Sequence, residues 1–212
     1  MQKTVIGIDV GGKRKGFHAV ALRDGRFVEV WTDVDPVQIA AWCQKLGACV
    51  VAVDAPCAWS KVGSSRLAER KLKIGGETVQ CFKTPTRERA LTNRSNFYGW
   101  VFNGEQLFRE LMQPYTLFDG QQSDRPTVME TFPHAVACAL AGKVIPAKPK
   151  GKTRREALLT QGYDVNGLRN IDLVDAALCA VAAETFRQER WTAFGDAHEG
   201  FIVVPKHGTS MP

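Results

Sequence analysis

The sequence lacks the run of roughly 18 apolar residues that a membrane-spanning helix needs, and its first residues begin a strand pattern instead of a secretory signal. These absences predict a cytoplasmic protein without a membrane segment. The sequence also lacks a Cys-x-x-Cys pair, and its six cysteines stand mostly within apolar segments such as DAALCAVAA. Isolated cysteines of this kind are typical of reduced core thiols, so we expect neither a disulfide framework nor a structural zinc site.

Histidine is scarce, with four in 212 residues, and no Ser-His-Asp or Cys-His grouping can be assigned. Lysine and arginine outnumber aspartate and glutamate by 28 to 22, which gives a formal net charge of +6. This excess is compatible with a polyanionic partner such as nucleic acid, although proteins that bind none also show it. The length predicts one domain over residues 1–205, followed by a loose tail over 206–212.

The first quarter of the chain predicts a crossover between parallel strands. Four segments have strand patterns: 4–10, 17–22, 26–31 and 48–56. The first three form a meander, and a helix over 35–47, with Asp35 as N-cap and Pro36 at its first position, leads to the fourth. The usual right-handed connection then places the fourth strand beside the first.

The rest of the chain predicts an insertion and one further strand of the central sheet. Residues 57–126 mix charged helical stretches with loops, and 126–133 predict a fifth strand that ends at Glu130. Two helices follow, over 153–161 with a Thr153/Glu156 capping box and over 171–187, and a short strand is expected over 199–205. The expected fold is α/β: a mixed five-stranded sheet of order 3-2-1-4-5, flanked by helices, with a helical insertion after the fourth strand.

Two of the apolar strands carry an aspartate near their ends, where burying a charge is expensive. Asp9 and Asp54 are predicted near the C-terminal ends of two adjacent parallel strands, which lie about 4.8 Å apart, so both side chains can reach one ion if they point to the same side. Glu130 ends the next strand, and Asp172 and Asp175 are three residues apart on one helix face. We expect four or five of these acids to converge on one edge of the sheet.

Carboxylates packed this closely repel each other unless a cation holds them together. Oxygen ligands with few histidines nearby favour Mg²⁺ or Mn²⁺, and such ions stabilise both oxygens of a phosphodiester cleavage. Each acid also has a structural interpretation: a turn residue for Asp9, a strand terminator for Asp54, helix-start residues for Asp172 and Asp175, and an ion-pair partner for Glu130.

The element order and the closing Asp172-x-x-Asp175-Ala resemble the ribonuclease H-like fold, and DLVDAALCA is similar to the closing helix of RuvC-type Holliday junction resolvases. The segments GIDVGG, VAVDAP, ETFPHA, DLVDAALCAVAA and EGFIVVP resemble the family called domain of unknown function 429, predicted nucleases of that fold. The resemblance implies metal binding by Asp9, Asp54, Asp172 and Asp175. Glu130 matches a family motif position but has no certain counterpart in well-understood nucleases.

Basic residues concentrate in the segment KPKGKTRR over 148–155. Cations before a helix oppose its dipole, whereas cations together with free backbone N–H groups suit a phosphate. We therefore predict that Lys148, Lys150 and Arg154 bind phosphate; the alternative is a solvated charged loop. Arg66, in RLAERKLK, offers a second basic patch, for which the alternative is an exposed helix face.

Phe97, Tyr98 and Trp100 stand together in the insertion, where they could stack on unpaired bases or form the core of the insertion. The function predicted first is a Mg²⁺- or Mn²⁺-dependent nuclease that hydrolyses phosphodiester bonds of DNA or RNA. An actin- or sugar-kinase-like phosphotransferase is an alternative, because GIDVGGKRKG resembles the first phosphate loop of those enzymes, although no second glycine-rich loop is evident. A catalytically inactive nucleic-acid or partner-binding module of the same fold is another.

Overall fold

The computed structural model describes residues 3–206, so the expected loose tail lies, apart from Lys206, outside the described residues. The strands are β1 Thr4–Val10, β2 Phe17–Arg23, β3 Arg26–Asp33, β4 Ala48–Asp54, β5 Lys73–Ile74, β6 Glu77–Thr78, β7 Thr116–Leu117, β8 Thr127–Glu130, β9 Trp191–Asp196 and β10 Gly200–Pro205. The helices are α1 Pro36–Lys45, α2 Leu67–Lys71, α3 Arg87–Leu91, α4 Gly99–Leu111, α5 Pro133–Ala141, α6 Lys150–Thr160 and α7 Ile171–Arg187, and a 3₁₀ turn spans Asn96–Tyr98.

The central sheet has the order β3-β2-β1-β4-β8-β10-β9, with β7 paired to β8. Strands β1, β4, β8 and β10 are parallel to one another, whereas β2, β3 and β9 pair antiparallel with their neighbours. The predicted order 3-2-1-4-5 is confirmed, with β8 as the fifth strand. Within residues 3–206 the sheet has eight strands instead of the predicted five, because β10 and β9 extend it beyond β8 and β7 pairs with β8. Helix α1 crosses over between β3 and β4 and so returns the chain beside β1.

Helices cover the sheet on both faces. Helices α5, α6 and α7 form one buried cluster with it, and α1 and α4 form another on the opposite side. Helix α7 packs very closely on β1, because a Cβ at Gly7 would lie 2.1 Å from the carbonyl oxygen of Ala176 and from the amide nitrogen of Ala180. Glycine is therefore required at position 7 for the helix backbone to lie this near the strand.

Residues 57–126 contain helices α2, α3 and α4, as the predicted helical insertion requires, together with the β5–β6 hairpin and β7. Helix α4 packs on α1 over one face of the sheet. No helix within residues 3–206 has the length and apolar character that a membrane span demands.

The prediction for α6 was wrong at its start. The helix begins at Lys150 after Pro149, not at Thr153, and no side chain caps it. The Thr153 hydroxyl lies inside the helix, where it donates to the Pro149 carbonyl at 3.3 Å. Pro149 takes the N-cap position with an extended backbone, and the residues after it enter the helix directly, so the capping box of Thr153 and Glu156 does not form.

Candidate metal centre

Three carboxylates from three separate elements converge at the carboxyl ends of the parallel strands. Asp9 of β1 and Asp54 of β4 are register partners, so their side chains leave the sheet on the same face. Asp175 reaches the same point from the first turns of α7. One carboxylate oxygen of each residue lies within 4.8 Å of the others.

The position of Asp175 depends on where helix α7 begins and on how closely the helix packs against β1. The Asn170 side chain caps the helix by accepting a hydrogen bond from the Leu173 N–H at 2.8 Å. Asp172 is therefore not the N-cap, and its carboxylate is free for other contacts. The contact between Gly7 and the helix backbone then holds Asp175, which is fully buried, above the strand ends.

Burial and mutual repulsion make ionisation of this group costly. Burial raises the pKa of Asp9 to about 6, opposed by the ammonium of Lys15 and reinforced by the charges of Asp175 and Asp172. Burial, together with the charges of Asp9 and Asp175, raises the pKa of Asp54 well above its usual range. No N–H or O–H within residues 3–206 donates a hydrogen bond to the Asp54 carboxylate. The carboxylate of Asp54, which is partly exposed, therefore faces two acids without a hydrogen-bond donor from the described residues.

Cations of the chain neutralise part of the group. Arg154 of α6 donates to Asp175 Oδ1, and the Lys150 ammonium lies 2.7 Å from Asp175 Oδ2. Arg154 is buried, whereas the Lys150 side chain is 48% exposed. Lys148, just before the helix, is exposed. Two of the predicted phosphate-binding residues, Lys150 and Arg154, thus contact Asp175. Lys148, two residues before Lys150 in the sequence, is at the surface.

A second group shares Asp9 and contains Asp172. The Lys15 ammonium lies 2.7 Å from Asp172 Oδ1 and 3.3 Å from Asp9 Oδ2, and it bridges the two acids. His18 Nε2 lies 3.9 Å from Asp172 Oδ2. Burial lowers the pKa of His18, which keeps the ring neutral at pH 7, and one oxygen or nitrogen of each of Asp9, His18 and Asp172 lies within 4.8 Å of the others.

Lys15 and His18 were missed by the sequence analysis. His18 is the antiparallel register partner of Asp9 across the β1–β2 hairpin, so the hairpin geometry would have placed it beside the acid had the turn length been known. Lys15 lies in that turn, whose Gly11, Lys15 and Gly16 N–H groups all donate to carbonyls of the same turn. These N–H groups are not available to a phosphate, which weighs against the phosphotransferase alternative.

Glu130 does not join the aspartates. It pairs in register with Val53, not with Asp54, so it leaves the sheet on the opposite face. There both its oxygens accept from Arg66, at 2.5 and 2.7 Å, and one also accepts from the Cys57 N–H at 2.8 Å. Of the four or five acids expected to converge on one edge of the sheet, Asp9, Asp54 and Asp175 form one group and Asp172 joins Asp9 in another. Glu130 projects from the opposite face, because side chains alternate along a strand.

Arg66 likewise does not lie where a phosphate could reach it. Its side chain is 1% exposed, and besides Glu130 it donates from Nε to Glu69 at 2.9 Å and from Nη1 to the Glu199 carbonyl. An arginine whose donors are consumed by buried acceptors has none left for a ligand. The prediction that Arg66 binds phosphate is therefore corrected: Arg66 is buried and pairs with Glu69 and Glu130.

The donor set of the three-aspartate group fits a hard divalent cation. Asp9, Asp54 and Asp175 offer only carboxylate oxygens, the ligands that Mg²⁺ and Mn²⁺ prefer. Burial, reinforced by the charges of Asp175 and Asp172, raises the pKa of Asp9 to about 6 against the opposing effect of Lys15, so the ionised form of this group is costly. A bound cation of this class would remove that cost.

Comparison with known proteins gives a family and a similar solved structure. A structure of RuvC from Thermus thermophilus is similar to this chain with a TM-score of 0.43 and 18% identity, over 88% of this chain and 95% of the RuvC chain. No curated protein matches the sequence. The model of the family described as "Protein of unknown function (DUF429)" matches residues 7–199, and the chain therefore belongs to that family.

Proposed function

We propose that this protein is a divalent-metal-dependent nuclease that hydrolyses phosphodiester bonds of nucleic acid, with Asp9, Asp54 and Asp175 as the metal ligands. The observation that carries the proposal is the approach of three carboxylates, from β1, β4 and α7, to within 4.8 Å of one another. A fold has no stabilising reason to bring three like charges together, because each raises the free energy of ionising the others. Groups of this kind are typical of functional sites.

Mg²⁺ or Mn²⁺ bound there would supply a water nucleophile and neutralise charge on the phosphate. The chain itself holds the ligand carboxylates in position. Asp9 and Asp54 are fixed by the strand register and Asp175 by the packing of α7, so the ligands are held on rigid elements. Asp172 holds the Lys15 ammonium at 2.7 Å, which places a positive charge beside Asp9.

Lys150 is the residue best placed to contact a substrate phosphate. Its ammonium lies beside Asp175 while nearly half of its side chain faces solvent, so it can turn to an anion at the same place. Lys148 is exposed before the same helix. The net charge of +6 favours association with a polyanion. Arg154, which is buried against Asp175, acts instead by holding that carboxylate in position.

Cleavage of labelled single-stranded, duplex and branched DNA and RNA, in Mg²⁺, Mn²⁺ or EDTA, tests the proposal. The native chain should cleave at least one substrate with metal and none in EDTA, and Asp9→Asn should abolish the cleavage. Asp124→Asn is the matched control, because Asp124 is an exposed loop aspartate outside the group. Activity that survives Asp9→Asn, or no metal-dependent cleavage at all, would contradict the proposal.

A catalytically inactive binding module is the second candidate, and one observation favours it. Arg154 and Lys150 already contact both oxygens of Asp175, so the chain partly neutralises its own acids. Titration calorimetry with Mn²⁺ separates the two functions: a nuclease needs a metal site that Asp9→Asn removes, whereas a binding module retains polyanion affinity with no such site.

A further inference from the structure

Four aromatic side chains of the insertion form a contiguous cluster. We name this cluster the aromatic platform; its members are Phe82, Phe97, Tyr98 and Trp100. Phe82 is central, with its ring centroid 4.9 Å from Trp100, 5.8 Å from Phe97 and 6.0 Å from Tyr98. Phe97 is 59% exposed. The platform therefore runs from Trp100, which packs against the buried core, to the ring of Phe97, which faces solvent.

The aromatic platform is continuous with the metal centre. Phe82 and Trp100 line, together with Asp54, a cavity of about 60 Å³. Such a volume holds roughly two water molecules, so the cavity cannot enclose a nucleobase. A flat ligand next to Asp54 must instead lie across the mouth of the cavity, against the aromatic rings.

The same cavity contains a buried polar group without a partner. Thr84 lines the cavity and is 0% exposed, and its hydroxyl has no hydrogen-bond partner among the described residues. Buried hydroxyl groups are nearly always hydrogen-bonded. A ligand with polar atoms on its edge, seated at the mouth, can supply the missing partner directly or through a water molecule.

We propose that the aromatic platform stacks on unpaired nucleobases, so that the protein acts on single-stranded segments of nucleic acid. This inference rests on the proposed function and names its substrate class. Bases within a duplex have both faces covered by their neighbours, whereas an unpaired base can offer a face to an aromatic ring. Exposed Lys83 and Arg94, close in sequence to Phe82 and Phe97, add positive charge for the backbone of the strand.

Equilibrium binding in EDTA tests the inference without requiring cleavage. Fluorescence anisotropy would compare a short single-stranded oligonucleotide, as DNA and as RNA, with its duplex and with an abasic strand of the same length. The native chain should bind the single strand more tightly than the other two ligands. Phe97→Ala should weaken single-strand binding about tenfold, and Phe97→Trp should restore it, while duplex and abasic binding stay the same in all variants.

Met112→Ala is the matched control, because Met112 is also an exposed apolar residue, 48% exposed, at the opposite end of α4 from Trp100. It should bind all ligands as the native chain does. Circular dichroism verifies folding, and Phe97→Leu, which keeps the apolar bulk but not the aromatic face, replaces Phe97→Ala if the latter is unfolded. Equal single-strand affinity in the native chain and in Phe97→Ala or Phe97→Leu, or an equal loss for the abasic strand, would overturn the inference.

The outcomes of this experiment and of the cleavage assay are separable. Metal-dependent cleavage without a Phe97 effect would refute the aromatic platform and leave the nuclease. A base-dependent Phe97 effect without cleavage by the native chain would refute the nuclease and leave a single-strand-binding module.

Discussion

Asp9 and Asp54 are register partners in adjacent parallel strands, and each has an oxygen within 4.8 Å of the other. The relationship follows from the β1–β4 pairing and puts two acids side by side on the face covered by α7. Without a metal ion their proximity is destabilising, and with one it forms most of a ligand set. The first prediction tests the cost of this proximity without a metal ion, and the second tests metal binding.

In EDTA, Asp54→Asn should stabilise the protein, and the gain should grow with pH. Burial, together with the charges of Asp9 and Asp175, raises the folded pKa of Asp54 well above its ordinary value of 3.8, so the ionisation of Asp54 opposes folding. This cost is absent below about pH 4 and grows as the pH rises through the folded pKa. The variant should therefore be more stable than the native chain at pH 8, by an amount on the order of 1 kcal/mol. Urea unfolding across this range measures it, and a variant that is less stable at high pH would contradict the prediction.

Saturating Mn²⁺ should raise the melting temperature of the native chain. Metal at a hundredfold excess over its Kd stabilises the folded state by about 2.7 kcal/mol, which for a chain of this size is roughly 5–10 °C. Asp9→Asn should show no such shift, and Asp124→Asn should behave as the native chain. Thermal melts with Mn²⁺ and with EDTA provide the measurement, and an equal shift in all three proteins would indicate binding elsewhere.

Arg66→Met should destabilise the fold by about 3–5 kcal/mol, because it leaves the buried carboxylates of Glu69 and Glu130 without their cation. Arg87→Met is the matched control. It breaks the Arg87–Glu105 pair, whose partners are partly exposed, and should cost less than about 1 kcal/mol. Urea unfolding measures the loss of stability in both variants. Similar losses would contradict the prediction that burial makes the ion pairs of Arg66 more important for stability than the Arg87–Glu105 pair.

Lys150→Ala should weaken nucleic-acid binding and lower the slope of log K against log salt by about 0.7 for a single strand, the effect of one lost phosphate contact. Lys152→Ala on the same helix is the control, since Lys152 lies 3.9 Å from Glu156 and does not contact Asp175. Binding isotherms at several salt concentrations give the slopes. An unchanged slope for Lys150→Ala would show that Lys150 does not contact a phosphate.

Gly7→Ala should destabilise the fold by about 3 kcal/mol and reduce Mn²⁺ affinity. Its Cβ would meet the α7 backbone at 2.1 Å, so the helix that carries Asp175 must move. Gly167→Ala, where an added Cβ meets nothing within 4 Å, should have little effect on either quantity. Loss of stability with unchanged metal affinity would show that Asp175 does not depend on this contact.

The sequence predicted β1 to β4, β8 and β10, the order of the first five of these strands, and the aspartates near the ends of β1 and β4, because each depends on local signals or on the crossover rule. Apolar runs define β1, β4 and β8, Asp35 and Pro36 start α1, and the crossover rule sets the sheet order. Strand β9 was not predicted from the sequence. All residues of Trp191–Asp196 are partly buried, so the strand has no buried face that would produce an alternation of apolar and polar residues.

Tertiary structure alone decided which charges meet. Glu130 and Arg66 are 64 residues apart, and their pairing follows from the face on which Glu130 leaves β8, which depends on register with β4. The bridge from Lys15 to Asp172 spans 157 residues and depends on where α7 crosses β1. A local sequence pattern fixes which residue types lie at a strand end, but a shift of one residue in register reverses the face, and only the packed sheet fixes that register.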